Sequence, residues 1–304
     1  MGKYLRETIK EITKKHLKKN KSFVFGQNLT GVGWVDNTLP KLYEKDGVIE
    51  LPMADVAGGG IVTGAALQGT RPIYIIRYQG YNWFNCIFIV NYACKSNDIW
   101  KRPCPIFIRG ISLEGSIGPV AGSSHISIFY KMPGIKIFSP MTSKEYKAVY
   151  KKFMKDDSVY YISEHRKSYN YNISLDNYLP KNPDIILMPN SVTRFEASKV
   201  VDHFKKKSKK IKIGIIHLKQ LKPFSLTKKI AKYINSSKKG VLITDNDYED
   251  GLPRILSGKI NEITSNKIHI LGLRNRTAGH HKKVDNLPPD ANKIIKFIKN
   301  KIKI

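Results

Sequence analysis

The sequence has no long apolar run and very few cysteines. No stretch of about 18 or more consecutive apolar residues occurs in its 304 residues, so no transmembrane helix is expected. The first twenty residues are rich in lysine and lack the apolar core of a secretory signal, so we expect a cytoplasmic protein. The three cysteines are odd in number and lie in apolar or mixed segments, so we expect buried thiols without a disulfide framework: Cys86, Cys94 and Cys104.

Acidic residues are scarce. Asp and Glu total 24 against 53 Lys and Arg, which gives a formal net charge of +29. Such an excess raises the hypothesis of nucleic-acid binding. However, only 10 of the basic residues are arginines, and the lysines are spread along the whole chain. Nucleic-acid binders usually concentrate basic residues on one face or place them between aromatic side chains. We therefore interpret the lysines as a solvated coating and expect no nucleic-acid partner.

Apolar strand patterns alternate with helical patterns along the chain. This alternation predicts an α/β protein of two domains, each a mostly parallel sheet with helices on both faces. The alternation stops at 169–183, a polar, Asn-rich segment that contains two prolines. We therefore predict a first domain at 1–168, a linker at 169–183 and a smaller second domain at 184–304.

Six short motifs follow one another in a fixed order. The first is an acid after a strand, Pro52-Met53-Ala54-Asp55, and the second is a Gly-rich helix start with Gly60 and Gly64. The third is the strand start Arg71-Pro72-Ile73, and the fourth is the aromatic Tyr81 with the helix motif Asn91-Tyr92-Ala93-Cys94-Lys95. The last two are a Gly-rich loop with a histidine, Gly122-Ser123-Ser124-His125, and a turn, Pro133-Gly134-Ile135-Lys136-Ile137. In that order they resemble the beta subunit of thiamine-diphosphate-dependent 2-oxo acid dehydrogenases, and more loosely the matching half of transketolase. The later segment IGIIHLKQLKPF resembles a strand of the same family's second domain.

The resemblance implies roles for four residues, and a fifth is a candidate because it is unusual. In the family, an acid contacts the aminopyrimidine ring of thiamine diphosphate and drives the tautomerisation that activates the cofactor, and Asp55 stands at its position. Tyr81 stands where the family stacks an aromatic side chain on that ring, and Met53 lies in the same cofactor-binding motif. His125 stands at the family's active-site histidine, which donates to the developing alkoxide. We assign Arg77, unusual in this pocket, to an anionic substrate.

The sequence departs from the family at two places. The family acid is Glu, whereas Asp55 is shorter by one methylene, about 1.5 Å of reach. The family's Gly-Glu-Asp stretch is Gly26-Gln27-Asn28 here, which removes two carboxylates. Alternatives therefore stay open for the main candidates. Asp55 could be only an N-cap of the Gly-rich helix, His125 an ordinary loop histidine, and Tyr81 a core residue.

The sequence has no Gly-Asp-Gly motif, with which the family holds Mg²⁺ and the cofactor diphosphate. The resemblance therefore implies no metal site in this chain and a diphosphate-binding alpha-like partner, in a heterotetramer of two alpha and two beta chains. The expected function is that of a beta-like subunit acting on a 2-oxo acid or a ketose, by decarboxylation or by acyl or ketol transfer. A dehydrogenase would also need a lipoyl acyltransferase. The alternative is a non-catalytic, scaffolding or regulatory paralogue of that subunit.

Overall fold

The computed structural model describes residues 3–19, 22–31, 33–208, 210–281 and 284–304. They form two compact units. The first comprises Met1–Leu113 and Ile128–Ile173, and the second comprises Glu114–Ser127 and Ser174–Ile304. The segment that carries His125 thus packs with the second unit. The domain limits expected from the sequence, with a linker at 169–183, stay a prediction.

The first unit is built on parallel strands in the order β2-β1-β3-β4-β6-β5. Its strands are β1 (Val24–Gly26), β2 (Val48–Glu50), β3 (Ile73–Arg77), β4 (Phe107–Ser112), β5 (Ile135–Phe138) and β6 (Val159–His165). β4 and β6 are buried along their whole length. Near-continuous burial is expected of parallel strands that are covered on both faces.

The helices of the first unit follow the alternation expected from the sequence. They are α1 (Leu5–Leu17), α2 (Gly33–Asn37), α3 (Asp55–Leu67), α4 (Asn82–Asn85), α5 (Cys94–Trp100), α6 (Ser127–Tyr130) and α7 (Ser143–Phe153). A π-helical turn, Ile89–Ala93, separates α4 from α5, so this part of the chain is a succession of short helical pieces. Short 3-10 turns lie at Glu44–Asp46, Gln79–Tyr81 and Arg166–Asn170.

α2 is a left-handed turn. All five of its residues have positive φ angles between 50° and 59°, including Trp34 and Val35. Left-handed helical backbone costs L-residues roughly 1–2 kcal/mol each, so contacts made elsewhere must compensate. Asp36 forms an ion pair with Arg166, and the Thr38 hydroxyl donates to the carbonyl oxygen of Val35 at 2.7 Å.

The second unit has a four-stranded parallel sheet in the order β11-β10-β7-β8. Its elements are β7 (Ile185–Pro189), α8 (Thr193–Lys207), β8 (Ile213–Ile215), β9 (Gln220–Lys222), α9 (Lys228–Asn235), β10 (Val241–Tyr248), α10 (Leu252–Asn261), β11 (Ile268–Leu273) and α11 (Ala291–Phe297), which continues as a π-helical turn at Ile298–Ile302. Its core joins β7 and β8 to α8 and α11. The predicted α/β class, with mostly parallel sheets, is confirmed.

Two further expectations have structural outcomes. All three cysteines are buried thiols outside any disulfide, as the sequence indicated. Within the part of the chain that the structure describes, no helix has the length and apolar character needed to cross a membrane.

Candidate functional site

The candidate site of the first unit lies where three parallel strands end. Gln27 directly follows β1, Asp55 lies five residues after β2, and Arg77 is the last residue of β3. β1 pairs with both β2 and β3 in parallel, so these residues share one edge of the sheet. Ligands of open α/β sheets bind outside the carboxyl ends of the strands.

Asp55 begins α3 and does not cap it. The N-cap position belongs to Ala54, and no side-chain capping hydrogen bond is present there. The alternative that Asp55 acts as the N-cap is therefore wrong. Because Asp55 occupies the first turn, its negative charge is favourably placed at the positive end of the helix.

The carboxylate of Asp55 is oriented by Gln27. The Nε2 amide of Gln27 donates a hydrogen bond of 2.7 Å to Oδ1 of Asp55, and both side chains are half-buried. Among the described residues, none donates to the other oxygen, Oδ2. One oxygen is thus held by the protein, while the second is placed to bond a group at the edge of the sheet. The departure from the family at Gln27 supplies this donor, a consequence that was not evident from the sequence.

Glycines bring α3 close to the segment that follows β3. A Cβ at Gly59 would lie 2.1 Å from the backbone oxygen of Asn85, which is too close for any other residue. The Asn85 amide nitrogen donates to the carbonyl oxygen of Tyr81 at 3.0 Å, and its side-chain oxygen accepts from the Tyr74 hydroxyl. Burial raises the pKa of Tyr74, and the thiol of Cys86 and the carboxylate of Asp55 raise it further. Gly59 and Asn85 thus link the helix of Asp55 to the turn of Tyr81.

The remaining candidates of this unit have distinct surroundings. Tyr81 ends a 3-10 turn and is half-buried. Met53 is 78% exposed beside Asp55. The guanidinium of Arg77 already makes two contacts within the chain. Its Nη1 donates to the carbonyl oxygen of Asn28 at 2.9 Å, and the group lies 5.8 Å from the Tyr78 ring centroid. Arg77 thus braces the loop after β1, and its role toward a substrate stays a prediction.

His125 belongs to the second unit. Burial lowers the pKa of His125, while a hydrogen bond to the backbone of Gly122 and the carboxylate of Glu114 act in the opposite direction. Its Nε2 lies 3.4 Å from the Ser123 hydroxyl. A half-buried imidazole with a lowered pKa is neutral at pH 7 and retains an N–H that can donate. The proposed roles of Asp55, Tyr81, Met53, Arg77 and His125 all stay predictions.

A buried network that the sequence motifs did not indicate joins two central strands of the first unit. Arg109 of β4 donates through Nε to Oε1 of Glu164 on β6 at 2.7 Å, and through Nη2 to Oε2 at 2.9 Å. The hydroxyls of Tyr146 and Tyr169 also donate to Glu164, and Arg109 Nη2 donates to Thr38 at 3.0 Å. Burial alone would lower the pKa of Arg109, but Glu164 holds it well above its usual value. The sequence signal that could have revealed this network is the presence of one Arg and one Glu in two otherwise mainly apolar strands.

An apolar surface flanks the candidate site. We call it the α3–α5 surface, and it consists of large side chains that are at least about one-third exposed: Met53, Val56, Ile61, Trp83, Phe84, Ile87, Phe88, Tyr92, Ile99 and Trp100. The rings of Phe88 and Tyr92 stack at 5.7 Å, and Gly60 faces Phe88. Monomeric proteins rarely expose apolar groups of this extent, which usually mark interaction surfaces. Among the described residues, no group of three or more His, Cys, Asp or Glu side chains is arranged to hold a metal ion.

Comparisons with known proteins agree with this architecture. Residues 2–172, more than half of the chain, match the family model described as transketolase, pyrimidine binding domain. The chain therefore belongs to this family. The resemblance to the beta subunits of 2-oxo acid dehydrogenases and to transketolase is confirmed by curated relatives and by a solved structure.

Two curated relatives are beta subunits. The chain is 31% identical over 155 residues to the 2-oxoisovalerate dehydrogenase subunit beta of Bacillus subtilis (strain 168), covering 48% of this chain and 47% of the relative. It is 28% identical over 173 residues to the mitochondrial pyruvate dehydrogenase E1 component subunit beta of Rattus norvegicus, covering 54% and 48%. The chain thus spans about half the length of the curated relatives it matches.

A solved structure extends the likeness to both units. The protein described as split gene transketolase, inactive beta4 tetramer, superposes with a TM-score of 0.72 over 99% of both chains at 12% identity. At this identity the likeness concerns the fold alone.

Proposed function

We propose that the chain is the beta-type subunit of a two-chain thiamine-diphosphate enzyme that acts on a 2-oxo acid or a ketose. The observation that carries the proposal is the Asp55 carboxylate, which lies at the carboxyl edge of the sheet in a pyrimidine-binding domain, with Oδ1 held by Gln27. The residues fit the cofactor because a half-buried acid with one oriented oxygen offers its other oxygen to a ring nitrogen. When bound, thiamine diphosphate would supply a carbon nucleophile that attacks the substrate carbonyl.

The chain's own residues have separate tasks in this proposal. Asp55 shares a proton with the aminopyrimidine ring nitrogen, a general-acid role. The Tyr81 side chain packs on the ring face and keeps the ring in register, and Met53 adds apolar contact beside it. His125 donates a hydrogen bond to the substrate oxygen as negative charge develops there.

The same proposal includes a partner subunit and a cytoplasmic location. The α3–α5 surface is suited to bury against a second chain, because it combines exposed aromatic and aliphatic side chains with the exposed Gly64, which has no neighbour within 4 Å of an added Cβ. We propose that an alpha-like subunit binds there and contributes the diphosphate and Mg²⁺ ligands, in a heterotetramer. Accordingly, the chain alone should bind thiamine diphosphate weakly or not at all.

The decisive experiment substitutes Asp55 in the assembled enzyme. We expect Asp55→Asn to preserve the fold and slow proton exchange at the thiazolium carbon by orders of magnitude, because an amide cannot share the ring proton. Exchange is measured by NMR after acid quench in D₂O. The matched control is Asp202→Asn, an exposed residue of α8, which should exchange as the parent does. Parent-like exchange in Asp55→Asn would contradict the role proposed for Asp55, and exchange in the parent no faster than that of free thiamine diphosphate would favour the non-catalytic paralogue.

The Asp55→Glu variant tests separately whether the shorter side chain of Asp55 limits its contact with the cofactor ring. The longer side chain restores the family's acid and should leave exchange intact or faster. If the pocket is shaped around Asp55, overpacking should instead destabilise the chain by about 1–3 kcal/mol. Urea unfolding of the lone chain distinguishes a structural cost from a change in proton transfer.

The substrate class is tested by activity assays of the assembled enzyme on 2-oxo acids and ketose phosphates. Reductive acylation of a lipoyl domain would identify a dehydrogenase that works with a lipoyl acyltransferase, and its absence together with ketol transfer would identify a carboligase. If Arg77 contacts an anionic substrate, Arg77→Met should raise KM for charged substrates more than it lowers kcat. An equal loss on neutral acceptors would assign Arg77 only to its contact with Asn28.

A further inference from the structure

The loop that carries His125 is held by a buried carboxylate. Glu114 is 2% exposed, and its Oε1 accepts two hydrogen bonds of 3.0 Å. One comes from the backbone N–H of Ser123, nine residues further along the chain, and the other from the Nδ2 amide of Asn246 at the end of β10. Hydrogen bonds to a charged acceptor are stronger than those between neutral groups. Glu114 thus joins the two ends of its own loop and ties both to the sheet of the second unit.

Ser123 itself has an uncommon backbone conformation. Its φ is +65°, in the left-handed region that residues other than glycine seldom occupy. Such conformations persist only where the surroundings over-determine them, and they cluster at functional sites. Here the Ser123 N–H is bonded to Glu114, and the next N–H, that of Ser124, donates to the Asn246 carbonyl oxygen at 3.1 Å. The backbone N–H groups of the two residues that precede His125 are therefore both held by hydrogen bonds.

The anchoring residue Asn246 is also held. Its backbone N–H donates to Oδ1 of Asp245 at 2.7 Å, and the Asn190 amide donates to the same carboxylate. Asp247 accepts the N–H of Leu252, in the first turn of α10, at 2.9 Å. The end of β10 is thus a hydrogen-bonded platform on which the loop of His125 rests.

We infer that Glu114 is the positioning residue of His125. It holds the left-handed turn at Ser123 through one carboxylate oxygen and connects that turn to Asn246, which sets the direction of the His125 side chain. The inference deepens the proposed function, since it rests on His125 donating to the substrate. No motif in the sequence singled out Glu114. Its charge also reaches the imidazole, whose pKa it raises against the opposing effect of burial.

Two variants separate the geometry from the charge. Glu114→Gln keeps an Oε1 acceptor for Ser123 and Asn246 but removes the negative charge. Glu114→Ala removes both the acceptor oxygen and the negative charge. The control is Glu262→Gln, an exposed acid at the end of α10 that pairs with Lys259. Asp245 and Asp247, the other acids that adjoin the loop, stay unchanged throughout.

The first measurement is amide hydrogen exchange at Ser123 and Ser124 in the full chain. We expect exchange at least about tenfold faster in Glu114→Ala, corresponding to about 1.4 kcal/mol, with protection regained in Glu114→Gln. The second is the NMR titration of the His125 imidazole, assigned with His125→Gln. It should show a lower pKa in Glu114→Gln than in the parent. Parent-like protection in the Ala variant, or an unshifted titration in the Gln variant, would overturn the inference.

Activity of the assembled enzyme distinguishes this inference from the proposed function. If Glu114 acts through His125, Glu114→Ala should lower kcat with little change in KM, and the loss should disappear when His125 is already replaced by Gln. If His125→Gln leaves the parent's activity intact, the proposed role of His125 fails, while the exchange measurements still decide whether Glu114 holds the loop. If Glu114→Ala does not fold, the Glu114→Gln titration remains the test.

Discussion

Gln27 and Asp55, which follow neighbouring parallel strands, are joined by a hydrogen bond of 2.7 Å from the amide of one to the carboxylate of the other. Both positions depart from the family that the sequence resembles, and the two departures meet in space. An amide at Gln27 can donate to Asp55, whereas a carboxylate there could not without taking up a proton. The shorter acid and its donor are therefore best understood as a pair.

This pairing predicts a pH-dependent cost for Gln27→Glu. Two carboxylates at this distance repel each other when both are ionised, which raises the pKa of one of them, so the folded state should hold one proton to a higher pH than the unfolded chain does. Stability is then complete below the unfolded-state pKa of about 4.3 and is lost as the pH rises from there through the raised pKa, by about 1.4 kcal/mol for every tenfold tightening of proton binding in the folded state. Urea unfolding at pH 5 and pH 8 measures this loss. Gln27→Met, which cannot ionise, should show no such pH dependence relative to the parent.

The buried pair Arg109–Glu164 should be costly to break. Glu164→Gln leaves the Arg109 charge without its counter-ion, and we expect a loss of about 3–5 kcal/mol in the free energy of unfolding. Replacing both residues with apolar ones, as in Arg109→Met with Glu164→Leu, should recover part of that loss, because the buried Tyr146 and Tyr169 hydroxyls still lose Glu164 as their acceptor. The exposed pair Lys259–Glu262 is the comparison, since Glu262→Gln should cost less than about 1 kcal/mol. Equal costs for the two Gln variants would show that Glu164 does not compensate Arg109.

Two glycines of α3 should differ sharply. Gly59→Ala would place a methyl group 2.1 Å from the Asn85 oxygen, so α3 and α4 must separate, and we expect destabilisation of about 1–3 kcal/mol. Gly64→Ala adds its methyl group where no atom lies within 4 Å, and alanine's higher helix propensity should stabilise the lone chain by up to about 1 kcal/mol. Thermal unfolding of the two variants, measured side by side, tests the packing of α3.

His16 of α1 should make stability fall in acid. The side chain is buried, and burial lowers its pKa to about 4, with smaller effects from neighbouring groups. As the pH falls, the unfolded chain therefore binds a proton at the ordinary histidine pKa of about 6.5, whereas the folded chain binds it only at a lower pH. Stability is complete above that pH and decreases as the pH falls toward 4, by about 3 kcal/mol in total.

The measurement for His16 is the pH dependence of urea unfolding in the parent and in His16→Gln, which should show a shallower loss between pH 6.5 and 4. The comparison with the variant is needed because Asp245 and Asp247 act in the opposite direction. Burial raises their pKa values to about 7 and about 6, so both favour the folded state as the pH falls. An identical slope in parent and variant would exclude His16 as the acid-sensitive group.

The α3–α5 surface should make the lone chain self-associate. Phe84→Ser combined with Ile87→Ser, both exposed in α4 and the segment after it, should shift the lone chain toward monomer by removing apolar area. Ile263→Ser, an exposed apolar position in the second unit, is the matched control. Sedimentation velocity measures the distribution. A monomeric parent, or an equal effect of Ile263→Ser, would argue against this surface as the interaction site.

The sequence by itself determined the elements whose signals are local. Near-continuous apolar runs predicted the buried parallel strands, and the alternation of apolar strand patterns with helical patterns predicted the α/β class that the structure shows. The order of short motifs also indicated the family. These features follow from the side-chain period and composition of neighbouring residues, so no knowledge of distant contacts is needed.

Only the tertiary structure decided how distant residues meet. The left-handed turn at α2 contains Trp34 and Val35, whose local preference opposes that backbone, and its ion pair joins Asp36 to Arg166. Likewise, the contact of Gln27 with Asp55 and that of Glu114 with Asn246 span 28 and 132 residues. Such contacts depend on which strand ends and loops the fold brings together, and that is set by the packing of the whole sheet rather than by any local pattern.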